Sequence, residues 1–340
     1  MRRKEDKTIR AKAPMRFDFA GGYTDVSPYS DIEGGNVVNM ALKKFAFVDI
    51  RARRDEEVNL YSRDMNVGES FNLNDDVSLE GPMRLLKASI AYLLPDSGID
   101  LTTFVDAPVG SGLGASASLA VALLGSLRIL RKETIDPRNL AKDALYVENV
   151  LLDNINGGQD QYAAALGGIN FFSFDSSDVV VESLSVSHKV IEIIQRRSLL
   201  VHSGQTRISG DVLDEVMSGY SNGNNVTVDG LRTLKLASLK LRSILISGDI
   251  DDFGEQLLSV YDAQKSLHEK IETPIIKKIF RIAQKLGLEG GKIAGAGGGG
   301  CVYLYSNQQS IGRINKKLTA EGFQTSPFLI SPHGFQYKID

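Results

Sequence analysis

The sequence predicts an α+β fold of two domains, and three observations support this prediction. The chain has 340 residues, of which 42% are hydrophobic, and this size and composition suit two globular cores. Segments that alternate apolar and polar residues, such as Lys44 to Arg54, indicate antiparallel strands. Helical patterns occur in blocks and do not alternate regularly with strands, which argues against a regular βαβ order. The predicted domains are residues 1–194 and 195–340.

The elements of the first domain follow from local patterns. The alternation of apolar and polar residues continues after Arg54 and predicts further strands. A proline marks the start of one predicted helix. A serine before an apolar run is predicted to cap another helix. The predicted elements are strands at 44–54, 58–64 and 69–73, a helix at Pro82–Leu94, a strand at Ile99–Ala107, a helix from Ser116 that this serine caps, a helix at Pro137–Asn154 and a strand at Gly168–Phe174.

The second domain repeats this mixture of strands and helices after residue 195. A strand at Arg196–Ser203 is followed by helices up to Thr273 and by another helix at Pro274–Leu286. Further strands are predicted around Lys292, at Cys301–Tyr305 and in the segment FQTSPFLI. The polar stretch SGYSNGNN with the following NNVTVDG is interpreted as a loop between helices.

Composition limits the classes of function. With 42 acidic and 39 basic residues the net charge is −3, so we expect no nucleic-acid partner. No apolar run reaches the roughly 18 residues of a membrane span, and the first residues lack the apolar core of a secretory signal, so we expect a cytoplasmic protein. Cys301 is the single cysteine and is predicted to be a buried strand thiol. The four histidines show no metal-ligand spacing.

A glycine-rich loop, APVGSGLGASASL from Ala107 to Leu119, is the first candidate for chemistry. Bare backbone at Gly110, Gly112 and Gly114 lets amides approach an anion, and a helix starting at Ser116 would direct its free N–H groups to the same point. A tight turn between strand and helix is the simpler alternative. The loop lacks the Gly-Lys-Ser/Thr of a P-loop and the companion signatures of protein kinases, and a second helix follows where a dinucleotide fold needs a strand.

Three motifs together resemble the GHMP kinases, a family of sugar and small-metabolite kinases. These are PVGSGLGASAS, APMRFDFAGGYTD from Ala13 to Asp25, and KIAGAGGGGCVYLY from Lys292 to Tyr305, in the order that the family has them. The resemblance implies a fold with an N-terminal domain like ribosomal protein S5 and a ferredoxin-like C-terminal sandwich. It also implies a sugar kinase that transfers phosphate from ATP, with Mg²⁺, to an alcohol group.

The resemblance also implies roles for individual residues. Ser116 and Glu148 match the magnesium ligands, and hard oxygen atoms suit this ion. Asp160 matches the catalytic base, and Arg16 matches the basic residue that pairs with it. The simpler alternatives are a solvent-exposed helix glutamate at 148 and a strand-edge arginine at 16. The implied ATP-binding residues are Pro108, Gly110, Ser111, Gly112, Leu113, Gly114, Ala115, Ser116 and Ala117.

Two segments, Ala20–Asn39 and His202–Gly210, are similar to the D-glycero-D-manno-heptose 7-phosphate kinases and their fucokinase-like relatives. This implies phosphorylation of the anomeric hydroxyl to the 1,7-bisphosphate, toward nucleotide-activated heptose for bacterial surface polysaccharide. The Gly-Glu-His-Thr-Asp of galactokinases is absent, so galactose is disfavoured. Tyr23 stands where glycine is usual in the heptose group. The implied substrate-binding residues are Tyr23, Thr24, Asp25, Gly158, Arg207, Gly297 and Gly298.

The far phosphate of such a substrate requires a cation. Arg207 is the first candidate, with Ser203 and Thr206 as hydroxyl donors. Lys43 or Lys44 could do the same, and a solvated loop arginine is the simpler alternative. Two other functions remain open, a fucokinase-like kinase of a free sugar and a non-catalytic protein that binds sugar and nucleotide. The sequence leaves the oligomeric state open, with a homodimer as one option.

Overall fold

The computed structural model describes residues 7–176, 178–205 and 210–340. It confirms the α+β class, because the described chain contains an eight-stranded sheet, a four-stranded sheet and helices packed on both. None of the described helices combines the length and the apolar character that a membrane span needs.

The first sheet contains all strands before residue 184 and one from the C-terminus. Its strands are β1 (Thr8–Ala20), β2 (Gly35–Ala52), β3 (Glu57–Ser62), β4 (Val67–Asn72), β5 (Ile99–Val105), β6 (Ile169–Phe174), β7 (Val179–Ser183) and β12 (Gln336–Ile339). The order is β12-β1-β2-β5-β3-β4, with β6 pairing with β2 and β7. All pairs are antiparallel except β3 with β5.

Five helices accompany this sheet: α1 (Tyr29–Glu33), α2 (Arg84–Tyr92), α3 (Ala115–Leu130), α4 (Pro137–Tyr146) and α5 (Gln159–Leu166). Alternate residues of β2, such as Val48 and Ile50, are buried in one core with the middle of α3, as period-two alternation requires. This burial fixes α3 and therefore the loop before it.

Two details of these helices differ from the prediction. The serine cap at Ser116 is wrong, because α3 begins at Ala115 and its N-cap is Gly114 in the left-handed conformation. The hydroxyl of Ser116 is instead bonded to Glu148. The predicted single helix Pro137–Asn154 is also wrong in its second half, because α4 ends at Tyr146 and the chain continues as one π-helical turn, Val147–Leu151. Such turns are frequent at functional sites.

The second sheet is antiparallel, with the order β11-β8-β10-β9. Its elements are β8 (Ser198–His202), β9 (Gly290–Ile293), β10 (Cys301–Tyr305) and β11 (Gln324–Pro327), with α6 (His188–Arg196), α7 (Gly210–Ser221), α8 (Asn225–Ser247), α9 (Phe253–Ser266), α10 (Pro274–Lys285) and α11 (Gln308–Ala320). Cys301 is a buried thiol in β10, as predicted, and burial raises its pKa to about 12. The segment NNVTVDG is not a loop, because α8 begins at Asn225 with Asn224 as its cap.

The N-terminal and C-terminal parts of the chain are joined by a common sheet and by packing between the two sheets. The last strand, β12, lies in the first sheet beside β1, so the predicted second range, 195–340, includes one strand of the first sheet. Aromatic side chains of β1, Phe17 and Phe19, pack against Tyr303 of β10 and Phe328. At this junction the glycine loop before α3 also meets the glycine loop between β9 and β10, since a Cβ atom on Gly112 would lie 2.6 Å from the Ala294 carbonyl oxygen.

Candidate active site

A cleft lies between the two glycine loops and the turn that follows β1. We call residues 110–117 the first glycine loop, residues 294–300 the second glycine loop, and residues 21–26 the N-terminal turn. One half of the cleft is lined by the first glycine loop and Glu148. The other half is lined by residues of the N-terminal turn, by the segment around Asn156 and Gln159, and by Leu213 and Ala296. Asp160 lies against Gly114, where the two halves meet.

The first glycine loop needs its glycines. Gly110, Gly112 and Gly114 have φ values of 72°, 74° and 74°, which disfavour any side chain. A Cβ atom on Gly112 would lie 2.6 Å from the carbonyl oxygen of Ala294. The 16-residue helix α3 starts directly after Gly114, so its free amides and positive dipole end face the cleft. The loop therefore has the features of an anion cradle.

The second glycine loop braces the first. The amide of Cys301 donates to the Ser111 carbonyl at 2.8 Å, and a Cβ atom on Gly300 would lie 2.6 Å from the same oxygen. Gly295 and Ala296 line the cleft. The predicted substrate residues Gly297 and Gly298 lie behind this surface, against Ile271, whose carbonyl accepts from the amide of Gly298.

Arg16 and Asp160 form a two-bond ion pair at the centre of the cleft. The Arg16 Nε and Nη2 atoms donate to the two carboxylate oxygens of Asp160 at 2.5 and 2.6 Å. Nη1 donates to the Gly112 carbonyl at 2.7 Å, which ties the pair to the first glycine loop. Burial alone would lower the pKa of Arg16, but the charges of Asp160 and Asp18 raise it. Arg16 is therefore cationic and holds Asp160 in one orientation.

Ser116 and Glu148 meet on the side of the cleft that the first glycine loop lines. The Ser116 hydroxyl donates to one oxygen of Glu148 at 2.6 Å, and Gln161 Nε2 donates to the other at 2.7 Å. Glu148 is buried in the π-helical turn, and this burial raises its pKa to about 7. A buried carboxylate without a cation is costly, so this carboxyl group is stabilised either by taking up a proton or by a positive charge that joins it.

The donor chemistry of this pair fits magnesium. A hydroxyl and one carboxylate are hard oxygen ligands, and Mg²⁺ in phosphoryl-transfer sites takes one or two protein carboxylates together with phosphate and water oxygens. Among the described residues no cluster of three or more His, Cys, Asp or Glu side chains could hold a metal by itself. The arrangement therefore suits an ion that is coordinated partly by the phosphates of a nucleotide, and it does not suit an ion that is coordinated by protein ligands alone.

Replacing Glu148 tests the proposed magnesium role. We expect Glu148→Gln to raise the Mg²⁺ concentration for half-maximal activity about tenfold, because one charged oxygen ligand is lost. The free energy of unfolding should stay close to that of the parent, since the glutamine carbonyl can still accept from Gln161 and its NH2 group can donate to the Ser116 hydroxyl oxygen. A magnesium titration of ADP release, with urea denaturation of the same samples, measures both. An unchanged magnesium requirement together with a large loss of stability would assign Glu148 a purely structural role.

The N-terminal turn contributes Tyr23 and Asp25 to the cleft. Asp25 accepts long hydrogen bonds from the backbone and side-chain amides of Gln159, at 3.4 and 3.3 Å. Burial, and then the charge of Asp160, raises its pKa to about 7. A Cβ atom on Gly157 would lie 1.9 Å from Asp25 Oδ2, so a side chain there would displace the Asp25 carboxyl group. Thr24 faces inward and donates to the Gly21 carbonyl, so it shapes the turn without lining the cleft.

The remaining predicted residues take several positions. Gly158 is the N-cap of α5 and packs on Phe174, outside the lining. Ser203 is buried, and its amide donates to Gly300. Thr206 and Arg207 lie outside the described residues. The following predicted residues do not line the cleft: Pro108, Leu113, Lys43 and Lys44.

Sequence reasoning missed four residues around the cleft. Gln159 and Gln161 flank Asp160 and hold Asp25 and Glu148, respectively. Asp18 lines the cleft and is paired with the buried Lys292 of β9 at 2.5 Å. The two glutamines are next to Asp160 in the sequence, but successive helical residues point in different directions, so this adjacency alone does not predict their roles. The ion pair of Asp18 and Lys292 joins two sheets, and no local sequence pattern predicts it.

Comparison with known proteins agrees with this geometry. The model of the GHMP kinases N terminal domain matches residues 83–168, and that of the GHMP kinases C terminal domain matches residues 241–323. D-glycero-alpha-D-manno-heptose 7-phosphate kinase of Campylobacter jejuni is 26% identical over 96% of this chain and 98% of its own. L-fucokinase/L-fucose-1-P guanylyltransferase of Bacteroides fragilis is 27% identical over 92% of this chain, which spans only 36% of that longer protein.

Solved structures share the fold. A D-glycero-D-manno-heptose 1-phosphate kinase from Bacteriodes thetaiotaomicron superimposes with a TM-score of 0.80 and 23% identity, covering 97% of this chain and 98% of its own. Galactokinase of Lactococcus lactis, complexed with galactose, has a TM-score of 0.77 at 18% identity, with coverage of 98% and 95%. At sequence identities of 23% and 18%, these similarities show a common fold and nothing more specific.

Proposed function

The chain belongs to the GHMP kinases and is a sugar kinase, and from this premise we propose that it phosphorylates the anomeric hydroxyl of D-glycero-D-manno-heptose 7-phosphate with ATP. The product is the 1,7-bisphosphate. The proposal of a kinase reaction rests mainly on the Arg16–Asp160 ion pair, which lies beside Gly114 at the start of α3. The substrate part is supported by the heptose kinase relative, which aligns over nearly the whole chain.

The first glycine loop is proposed to hold the ATP phosphates. Its backbone amides and the dipole of α3 offer partial positive charge where the transferred phosphoryl group gains negative charge. Bracing by the second glycine loop keeps these donors in place before the substrate arrives. Ser116 and Glu148 would hold Mg²⁺, which when bound offsets the charge of the phosphate oxygens.

Asp160 is proposed to accept the proton of the attacking hydroxyl. Its carboxylate is partly exposed to the cleft, with 22% of the side chain accessible, while Arg16 holds both oxygens. The ion pair fixes the orientation of the base, and the guanidinium can then steady negative charge that develops on the acceptor oxygen. We call the half of the cleft that the N-terminal turn lines the acceptor half. Asp25 lines this half and offers a carboxyl group to sugar hydroxyls.

A free-sugar kinase is the second candidate, and the charge of the cleft favours it. The described lining residues include four carboxylates, Asp18, Asp25, Glu148 and Asp160, but Arg16 is the one cation among them. The phosphate at C7 of the substrate needs a cation beyond Arg16, which is already paired with Asp160. The heptose 7-phosphate proposal therefore depends on Arg207.

A substrate screen tests the proposed function directly. ADP release is coupled to a spectroscopic readout and measured with heptose 7-phosphate, fucose, galactose and mannose phosphates. We expect the highest kcat/KM with heptose 7-phosphate. A preference for a free sugar would replace the proposal by the fucokinase-like alternative. ATP and sugar binding in calorimetry without ADP release for any acceptor would instead indicate a non-catalytic binding protein.

Arg207 is the proposed reader of the far phosphate. Arg207→Ala is expected to raise the KM for heptose 7-phosphate roughly 10- to 100-fold, because a charge-assisted hydrogen bond contributes on the order of 1.5 to 3 kcal/mol. The KM for ATP should change far less. The matched control is heptose without the phosphate. If Arg207→Ala weakens that sugar equally, or leaves heptose 7-phosphate unaffected, Arg207 does not bind the phosphate.

A further inference from the structure

Tyr23 has an unusual backbone conformation in the N-terminal turn. Its φ is 76°, in the left-handed region that glycine tolerates and that bulky side chains avoid. The turn holds this conformation with two backbone hydrogen bonds, Thr24 N to Gly21 O at 3.0 Å and Val26 N to Tyr23 O at 3.2 Å. A tyrosine is therefore kept where glycine would fit without strain, and such positions concentrate at functional sites.

The side chain of Tyr23 crosses from the N-terminal turn to the second glycine loop. Its hydroxyl donates to the Ala296 carbonyl at 2.6 Å, and both residues line the cleft. The residue is 5% exposed, so the ring is enclosed by protein apart from the surface that it gives to the cleft. Hydrogen bonds therefore hold both the backbone of this turn and the hydroxyl of Tyr23.

The apolar wall of the acceptor half consists of Tyr23, Val26 and Leu213. Asp25 and Gln159 line the same half and are hydrogen-bonded to each other. Tyr23 is the largest of the three apolar side chains, which belong to one buried cluster, so its ring occupies the most space at this wall.

We propose that Tyr23 is a specificity-determining residue that sets the size of the sugar which the acceptor half admits. The proposal rests on the sugar kinase activity, but not on which sugar is used. In a tight apolar pocket, one added or missing carbon of the substrate changes kcat/KM by roughly 10- to 200-fold. A rigid wall of this kind can therefore distinguish acceptors that share a ring but differ by one carbon.

The decisive test is Tyr23→Gly, which removes the ring and relaxes the left-handed backbone. The acceptors are two sugars that differ by one carbon, heptose 7-phosphate and mannose 6-phosphate. We expect the ratio of their kcat/KM values to move about tenfold toward the larger acceptor. The KM for ATP should stay within threefold. If the enzyme uses free sugars, L-fucose and D-arabinose form the equivalent pair, so failure of the heptose assignment does not affect this test.

Two further variants separate size selection from a structural role. Tyr23→Phe keeps the ring and removes the hydroxyl that donates to the Ala296 carbonyl, so the acceptor ratio should stay within threefold of the parent. Tyr29→Phe, at a buried tyrosine that does not line the cleft, should change neither ratio nor KM. Should Tyr23→Gly fail to fold, Tyr23→Asn carries the same test, because asparagine tolerates the left-handed region. An unchanged acceptor ratio in the glycine or asparagine variant overturns the proposal.

Discussion

Asp160→Asn is expected to lower kcat by roughly 10² to 10⁴, the usual cost of losing a positioned proton acceptor. Asparagine has nearly the same shape, and its carbonyl oxygen can still accept one hydrogen bond from Arg16. It cannot take a proton from the acceptor hydroxyl at neutral pH. The KM for ATP should change little, since the first glycine loop and the Ser116–Glu148 pair are untouched. Steady-state and single-turnover measurements of ADP release determine both quantities.

A matched control is Asp143→Asn. Asp143 is also paired with an arginine, Arg128, and is also largely buried, but it lies outside the cleft. The control should keep at least half of the parent activity, which shows that the loss in Asp160→Asn does not come from breaking any buried ion pair. Activity of Asp160→Asn within threefold of the parent would remove Asp160 from the proton-transfer role.

The sequence alone could predict the residues that act through local backbone. Gly110, Gly112 and Gly114 are spaced by two, and bare backbone before a helix indicates an anion cradle whatever the rest of the chain does. The structure gives all three the left-handed conformation. The α+β class was predictable for the same reason, because period-two alternation in β2 reports a half-buried strand.

Other features depend on contacts that no local pattern encodes. Glu148 was predicted on a regular helix, but the chain forms a π-helical turn there that directs the carboxylate to Ser116, 32 residues away. The return of β12 to β1 joins the two ends of the chain and leaves no signal in the intervening sequence. The resemblance to a family identified Arg16 and Asp160 as a pair, and the structure places them in contact across 144 residues.

The buried pair of Asp18 and Lys292 carries the largest expected effect on stability. Both side chains are nearly inaccessible, at 3% and 2%, and Lys292 Nζ donates to Asp18 Oδ2 at 2.5 Å and to the Asp18 backbone carbonyl at 2.8 Å. Burial lowers the pKa of Lys292, and the charge of Asp18 opposes this change. The pair joins β1 of the first sheet to β9 of the second, directly beside the cleft.

Lys292→Met should reduce the free energy of unfolding by about 3 to 5 kcal/mol, because Asp18 is left as a buried charge without its hydrogen-bonded cation. Methionine has a similar length, so lost packing contributes little. Urea denaturation followed by circular dichroism measures the change. Lys142→Met is the control, since Lys142 pairs with Asp178 on the surface with both side chains more than half exposed. Its effect should stay within about 1 kcal/mol.

A double-mutant cycle shows whether the loss comes from the pair itself. Asp18→Asn removes the charge that Lys292→Met leaves unpaired, so the double variant should be more stable than the sum of the two single losses predicts. The expected coupling lies at the upper end of roughly 0.5 to 3 kcal/mol, because the atoms are in direct contact and out of water. Strict additivity, or a loss below about 1 kcal/mol in Lys292→Met, would show that water reaches the unpaired Asp18 carboxylate. The junction of the two sheets would then be held mainly by the aromatic contacts of Phe17 and Phe19 with Tyr303.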